Sequence, residues 1–281
     1  MQALVGRVRV VAPESQLAFG ISLAEAADRP AQWPGLGRRP PPPFRLVIAP
    51  DSISLARIGN GRAPGWGAGI TIPSIHTIVV RSDLDDVALT LRHEVAHLVL
   101  HDAVPGRVPL WFDEGYASLA AGDLERLAAL QLNLAVASGQ LPSLEELNRL
   151  LRGSARTADA GYGLAASAVA DVETRQPPGG LERLFAHLEA GEAFDASLEA
   201  ATGLTPDRFE DAWHQDLRRR YGLLSWLLAG GVWAVVATLL GFLVWIRRRA
   251  DIPRRRALDE GWVVPEQPPP GPPVDQPGLL H

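Results

Sequence analysis

The sequence HEVAH at residues 93–97 constrains this chain more than any other stretch. Two histidines four residues apart share one face of an α-helix; in a strand the same spacing would separate them by roughly 13 Å along the chain. Only a helix lets both imidazoles meet one metal ion. Glu94 projects beside that face, where its carboxylate can reach a water bound to the ion without being a ligand. Zinc acidifies such a water, and the carboxylate can take its proton as it attacks a carbonyl. The competing reading is an amphipathic helix whose histidines are satisfied by ordinary hydrogen bonds. Val95, Ala96, Leu98, Val99 and Leu100 make the segment strongly apolar. Both histidines should then be buried, where an unpartnered imidazole is costly.

The flanks define the element. Ser82 or Asp83 is the expected N-cap, with acidic residues crowding the first turn. The apolar positions Val87, Leu91, Val95 and Leu98 carry the helix to the break before Pro105-Gly106. A second helix is expected over residues 112–119. Catalytic zinc needs a third protein ligand, and with no cysteine in the chain it must be His or a carboxylate. His101 continues the four-residue spacing but lies two turns from His93, roughly 11–12 Å along the axis. Asp113 and Glu114 follow the break, where the chain can reverse and bring a carboxylate back. The small residues Gly115, Ala117, Ser118 and Ala120 would let the two helices approach closely. Spacing alone leaves Asp113 and Glu114 both open.

The rest of the chain divides by composition. Residues 1–80 read as a small mixed region: a helix over 23–28, a Pro run at 39–43, a buried strand at Phe44–Ala49, a Gly-rich loop, and an edge strand over 70–80 interrupted by Pro73. Residues 81–221 read as helical, with further helices over 123–138, 144–151, 163–174, 181–190, 194–202 and 206–221, the last opened by Pro206. His76, His187 and His214 are isolated and read as surface or helix-face residues, since metal sites need clustered ligands. All 27 basic residues are Arg, yet the net charge is −5, so no basic field argues for nucleic acid.

Residues 223–246 form a run of 24 without a formal charge. About 20 apolar residues cross a bilayer, and Trp226 and Trp245 sit where interfacial tryptophans would be. A buried core helix is the alternative, but core helices seldom lack charge for so long. Three arginines (218–220) precede the run and six (247–249 and 254–256) follow it. That asymmetry favours a cytoplasmic C-terminus, with the preceding region extracytoplasmic. The start, MQALVGRVRVVAPES, lacks the basic and sustained apolar regions of a secretion signal. Residues 247–281 read as a basic segment and then a Pro-rich, disordered tail.

HEVAH followed by Trp111-Phe112-Asp113-Glu114-Gly115-Tyr116-Ala117 resembles the gluzincin metallopeptidases, specifically the peptidase MA-like group with its HExxH…WxxEGxA pattern. The resemblance covers residues 40–220 and does not extend to metzincins, whose third ligand follows a Gly-turned extension. It implies an α+β zincin-like domain with a small N-terminal sheet, an active-site helix and a helical C-terminal lobe. It implies Zn²⁺ held by His93, His97 and Glu114, with Glu94 as general base. An acidic residue often follows the Glu ligand by one turn in this group, and Ser118 stands there instead. The stretch around Tyr162 looks like the group's Tyr-containing helix start, which makes Tyr162 a candidate donor to the oxyanion; an ordinary half-buried tyrosine is the equal alternative. Tyr116 reads as structural. Residues 67–72 look like an edge strand able to pair with an extended substrate. The implied activity is peptide-bond hydrolysis by a protein anchored to the lipid bilayer. The rival expectation is a membrane-anchored binding or scaffold protein on the same fold, with structural zinc or none.

Overall fold

The computed structural model describes residues 1–61, 66–122, 136, 141–175, 177–226 and 232–260. Its β-structure is built around β5 (Phe44–Ala49), the FRLVIA segment, whose Phe44, Leu46 and Ile48 face is buried while Arg45 on the other face is exposed. The sheet order is β1-β2-β5-β7-β6. β1 (Gln2–Val5) and β2 (Val8–Val11) form an antiparallel hairpin turned by Gly6, whose φ of 55° suits glycine. β2 and β7 (Thr77–Arg81) run parallel to β5 on either side. β6 (Gly69–Ile72) closes the sheet antiparallel to β7. A separate two-stranded sheet joins β3 (Ala31–Trp33) to β4 (Gly37–Arg39).

Two expectations about this region need correction. Residues 70–80 are not one edge strand. Pro73–Ile75 form a 3-10 turn that ends at His76 in the left-handed region, φ 44°. The chain reverses there, so only β6 is the edge and β7 is interior. The active-site helix does not start at Ser82 or Asp83 either. The Ser82 N–H donates to the Ala49 carbonyl at 2.9 Å, and Arg81 pairs with Asp83 at 2.9 Å, so both residues stay tied to the sheet. Asp86 is the cap, accepting from the Leu89 N–H at 3.1 Å.

The helices are α1 (Leu17–Ala27), α2 (Ser52–Ile58), α3 (Val87–Ala103), α4 (Leu110–Ala121), α5 (Leu144–Leu151), α6 (Ala155–Thr174), α7 (Gly180–Glu189), α8 (Phe194–Thr202), α9 (Pro206–Trp226) and α10 (Val232–Glu260). α1, α4, α6 and α9 are longer than expected, and the segment expected over 123–138 lies outside the described residues except Val136. α5 opens with a full capping box between Ser143 and Glu146. α3 carries the motif between sheet and helical lobe, touching β6 and β7 on one side and α4 on the other. α4 is anchored by aromatic contacts: Phe112 packs 5.0 Å from Phe194 and 6.1 Å from Phe185, and Trp111 lies 5.8 Å from Phe194. Trp213 on α9 donates to Ser167 on α6 at 3.1 Å.

Residues 1–226 form one compact unit and 227–281 a second. The charge-free run is divided between the end of α9, residues 227–231 outside the described set, and the first 15 residues of α10. Among the described residues no helix is long and apolar enough to cross a membrane. In α10 the large apolar side chains are exposed, Trp233 at 74% and Leu239, Leu240 and Leu243 at 57% each.

Candidate metal centre

His93 and His97 project from α3 toward α4, as the four-residue spacing requires. Their Nε2 atoms lie 3.2 Å apart. Glu114 on α4 sets Oε2 3.4 Å from the His93 Nε2 and 3.5 Å from the His97 Nε2. Three donors at 2.0–2.1 Å from a tetrahedral ion are separated by about 3.3–3.4 Å. The triangle therefore has the dimensions of three vertices of a zinc tetrahedron. Among the described residues no fourth His, Cys, Asp or Glu joins this group. The donor set is two imidazoles and a carboxylate, which fits zinc and leaves a coordination position for water or substrate.

Asp113 and Glu114 are adjacent on a helix, so their side chains diverge and grip His97 from two sides. Asp113 Oδ1 lies 2.6 Å from the Nδ1 of His97, while Glu114 faces its Nε2. Asp113 is thus not a member of the His93–His97–Glu114 triangle. It sits at the back of the candidate ligand ring, where a carboxylate favours a proton on Nδ1 and fixes the ring's orientation. Its other oxygen lies 2.9 Å from the His101 Nε2. His101 is outside the triangle, as its distance along α3 requires, and braces Asp113. The acidic partner sought one turn after Glu114, at Ser118, is instead the residue just before it.

Electrostatics follow from burial and these contacts. Burial alone would lower the His97 pKa, but Asp113 and Glu114 outweigh it and raise it well above the ordinary imidazole value. Burial opposes ionisation of Asp113 and Glu114, yet His97 and its neighbours prevail. Asp113 is held far below the usual carboxylate range, and Glu114 is lowered to about 2. Two ionised carboxylates around the buried His97 and the half-buried His93 call for positive charge, from a proton or a cation.

Glu94 is on the cleft side of α3 and only 7% exposed. Burial raises its pKa above the ordinary value, against the opposing pull of His97, His93 and a Thr71 hydrogen bond. The Thr71 Oγ1 lies 2.7 Å from the Glu94 Oε2 and 2.8 Å from the Glu94 carbonyl oxygen. A Cβ at Gly69 would come within 2.9 Å of the Glu94 Cγ and Oε1. Sequence reading places both residues in the candidate edge strand 67–72 but misses their contact with Glu94; the available signal was their alternation, which places 69 and 71 on one face of a strand.

Gly115 explains how α4 comes close. A Cβ there would meet the Ala165 carbonyl oxygen on α6 at 2.5 Å. Arg92 ties α3 to α4 by donating to the Ala120 carbonyl at 2.8 Å. Tyr162 on α6 sits with its ring 6.0 Å from that of His93 and lines the same cleft. Tyr116 is fully buried, and its hydroxyl donates to the Pro34 carbonyl at 3.1 Å, a structural placement. His76, His187 and His214 lie outside the candidate metal groups and pair with the Pro43 carbonyl, Glu192 and the Pro142 carbonyl.

The cleft has a volume of about 530 Å³. β6 forms one wall, with Trp66 and Leu89, and the triangle, Glu94 and Tyr162 also line it. A family model for the peptidase MA superfamily matches residues 60–219, more than half of the chain. No curated protein matches. The match spans β6, the HEVAH helix, Glu114 and the helical lobe, and the chain belongs to the peptidase MA superfamily.

Proposed function

We propose that this protein is a membrane-anchored zinc metallopeptidase. The observation that carries the reading is the His93–His97–Glu114 triangle, with a buried, hydrogen-bonded Glu94 beside it in an open cleft. A structural zinc site is closed by four protein ligands and needs no base, so these features favour catalysis over a scaffold role. Bound zinc supplies acidification of a water and polarisation of the scissile carbonyl. Glu94 accepts the proton from the attacking water and delivers it to the leaving amine; its raised pKa suits both transfers. Tyr162 donates to the developing oxyanion. Asp113 keeps the His97 Nδ1 protonated and its Nε2 free for the metal.

An extended peptide pairs with the open edge of β6, which gives affinity through main-chain hydrogen bonds with little side-chain selection. The charge-free run at 223–246 anchors the protein in the bilayer. Its length and the exposed apolar side chains of α10 support this reading. The Arg asymmetry orients the catalytic unit to the extracytoplasmic side and the tail to the cytoplasm.

The test is cleavage of casein by detergent-solubilised full-length protein, before and after zinc removal by a chelator. Activity should vanish on stripping and return with Zn²⁺. Zinc-loaded protein that cleaves nothing contradicts the peptidase reading. Retention in the membrane after alkaline extraction, and protease attack on the catalytic unit in intact cells, check the anchor and its orientation.

A further inference from the structure

β6 brings two functions together. In an antiparallel pair, residues alternate between those bonded to the partner strand and those whose peptide groups face outward. The Arg81 N–H donates to the Ala68 carbonyl at 3.0 Å, so Ala68 faces β7. In the register Gly69↔Val80, Ile70↔Val79, Thr71↔Ile78, Ile70 then also faces β7. Gly69 and Thr71 turn their N–H and C=O groups to the outer edge of the sheet, which no strand among the described residues covers. These are the two residues that meet Glu94: Thr71 through its hydroxyl, and Gly69 through the space left by its missing side chain.

We propose that Thr71 is a positioning residue for the reaction. Its hydroxyl holds the Glu94 carboxylate in the cleft, and Gly69 leaves that carboxylate room. A glutamate has three side-chain torsions, and without this contact it would sample orientations unsuited to proton transfer. Because Gly69 and Thr71 also present the main-chain groups that pair with a substrate, the strand that docks the peptide aligns the base with it. The inference rests on Glu94 being the base of a zinc peptidase.

The experiment compares T71V, T71S and G69A with the wild-type full-length protein, measuring zinc content, kcat and KM on a fluorogenic peptide, and Tm. T71V should keep its zinc and KM and lose about tenfold to a hundredfold in kcat, the scale on which catalytic groups respond to misplacement. T71S, which retains the hydroxyl, should recover most of that loss. G69A should lose kcat while keeping zinc. Unchanged kcat in T71V, or T71S no better than T71V, overturns the proposal. A second readout needs no turnover: a double-mutant cycle on the Tm of metal-free protein. The shift caused by T71V should differ by about 2–4 °C between the Glu94 and E94A backgrounds. Additive shifts overturn the proposal. If the wild type cleaves nothing, the peptidase reading fails and the cycle alone decides whether Thr71 holds Glu94.

Discussion

Asp113 Oδ1 and His97 Nδ1 lie 2.6 Å apart, on the side of the imidazole away from Glu114. Neighbouring residues on one helix therefore divide one ring between them: Glu114 faces Nε2, the nitrogen turned to the candidate metal position, and Asp113 holds Nδ1.

Removing the Asp113 carboxylate should weaken zinc binding without changing which residues ligate. D113A should lose about tenfold to a hundredfold in zinc affinity, measured by competition with a chromogenic chelator. D113N, which keeps an acceptor oxygen but no charge, should fall between. Loss of binding as complete as in H97A would show that Asp113 is itself a ligand.

His101 lines the cleft and pairs with Asp113 at 2.9 Å, outside the His93–His97–Glu114 triangle. H101A should retain one zinc per chain and lose less affinity than D113A. Zinc stoichiometry by atomic emission distinguishes this from a ligand role, in which H101A would purify without metal.

The pH dependence of zinc binding follows from His97. Its pKa is raised well above the ordinary imidazole value in the metal-free protein, so at neutral pH it keeps a proton that zinc must displace. Lowering the pH further favours the metal-free, protonated state. Affinity should fall with falling pH by about tenfold per unit for each proton released, and rise toward alkaline pH until His97 deprotonates. Calorimetry in buffers of different ionisation enthalpy reads the released protons. Affinity that is flat between about pH 6 and about pH 8 would contradict this.

The close approach of α4 and α6 depends on Gly115. G115A places a Cβ 2.5 Å from the Ala165 carbonyl oxygen, a backbone atom that cannot swing aside. Overpacking of this kind costs about 1–3 kcal/mol, and should lower Tm by roughly 2–10 °C. Since Gly115 follows Glu114, zinc affinity should fall as well.

Much of this site was legible in local sequence. The HEVAH spacing gives the ligand face of α3 directly, and the apolar FRLVIA run gives β5. Residues whose role depends on how separate elements meet were not legible. Spacing leaves Asp113 and Glu114 both open, and only the resemblance points to Glu114; the packing of α4 against α6 at Gly115 and the aromatic contacts of Trp111 and Phe112 position α4, and there Asp113 meets the His97 Nδ1 while Glu114 faces the Nε2. The link from Thr71, part of the expected edge strand, to Glu94 was hidden for the same reason: its partner lies 23 residues away on another element. The β6–β7 reversal was hidden because Pro73 reads as an interruption, while the turn is completed by a left-handed His76 that no composition rule marks. The start of α3 was misplaced because Ser82 and Asp83, good caps by type, are engaged by the sheet.

The most direct test is E94Q, which keeps the size of the side chain and its contact with Thr71 but removes the base. The zinc-loaded variant should hold one metal per chain and lose between about 10²- and 10⁴-fold in kcat on a peptide substrate. Full zinc occupancy with wild-type turnover would contradict the assignment of Glu94 as the base.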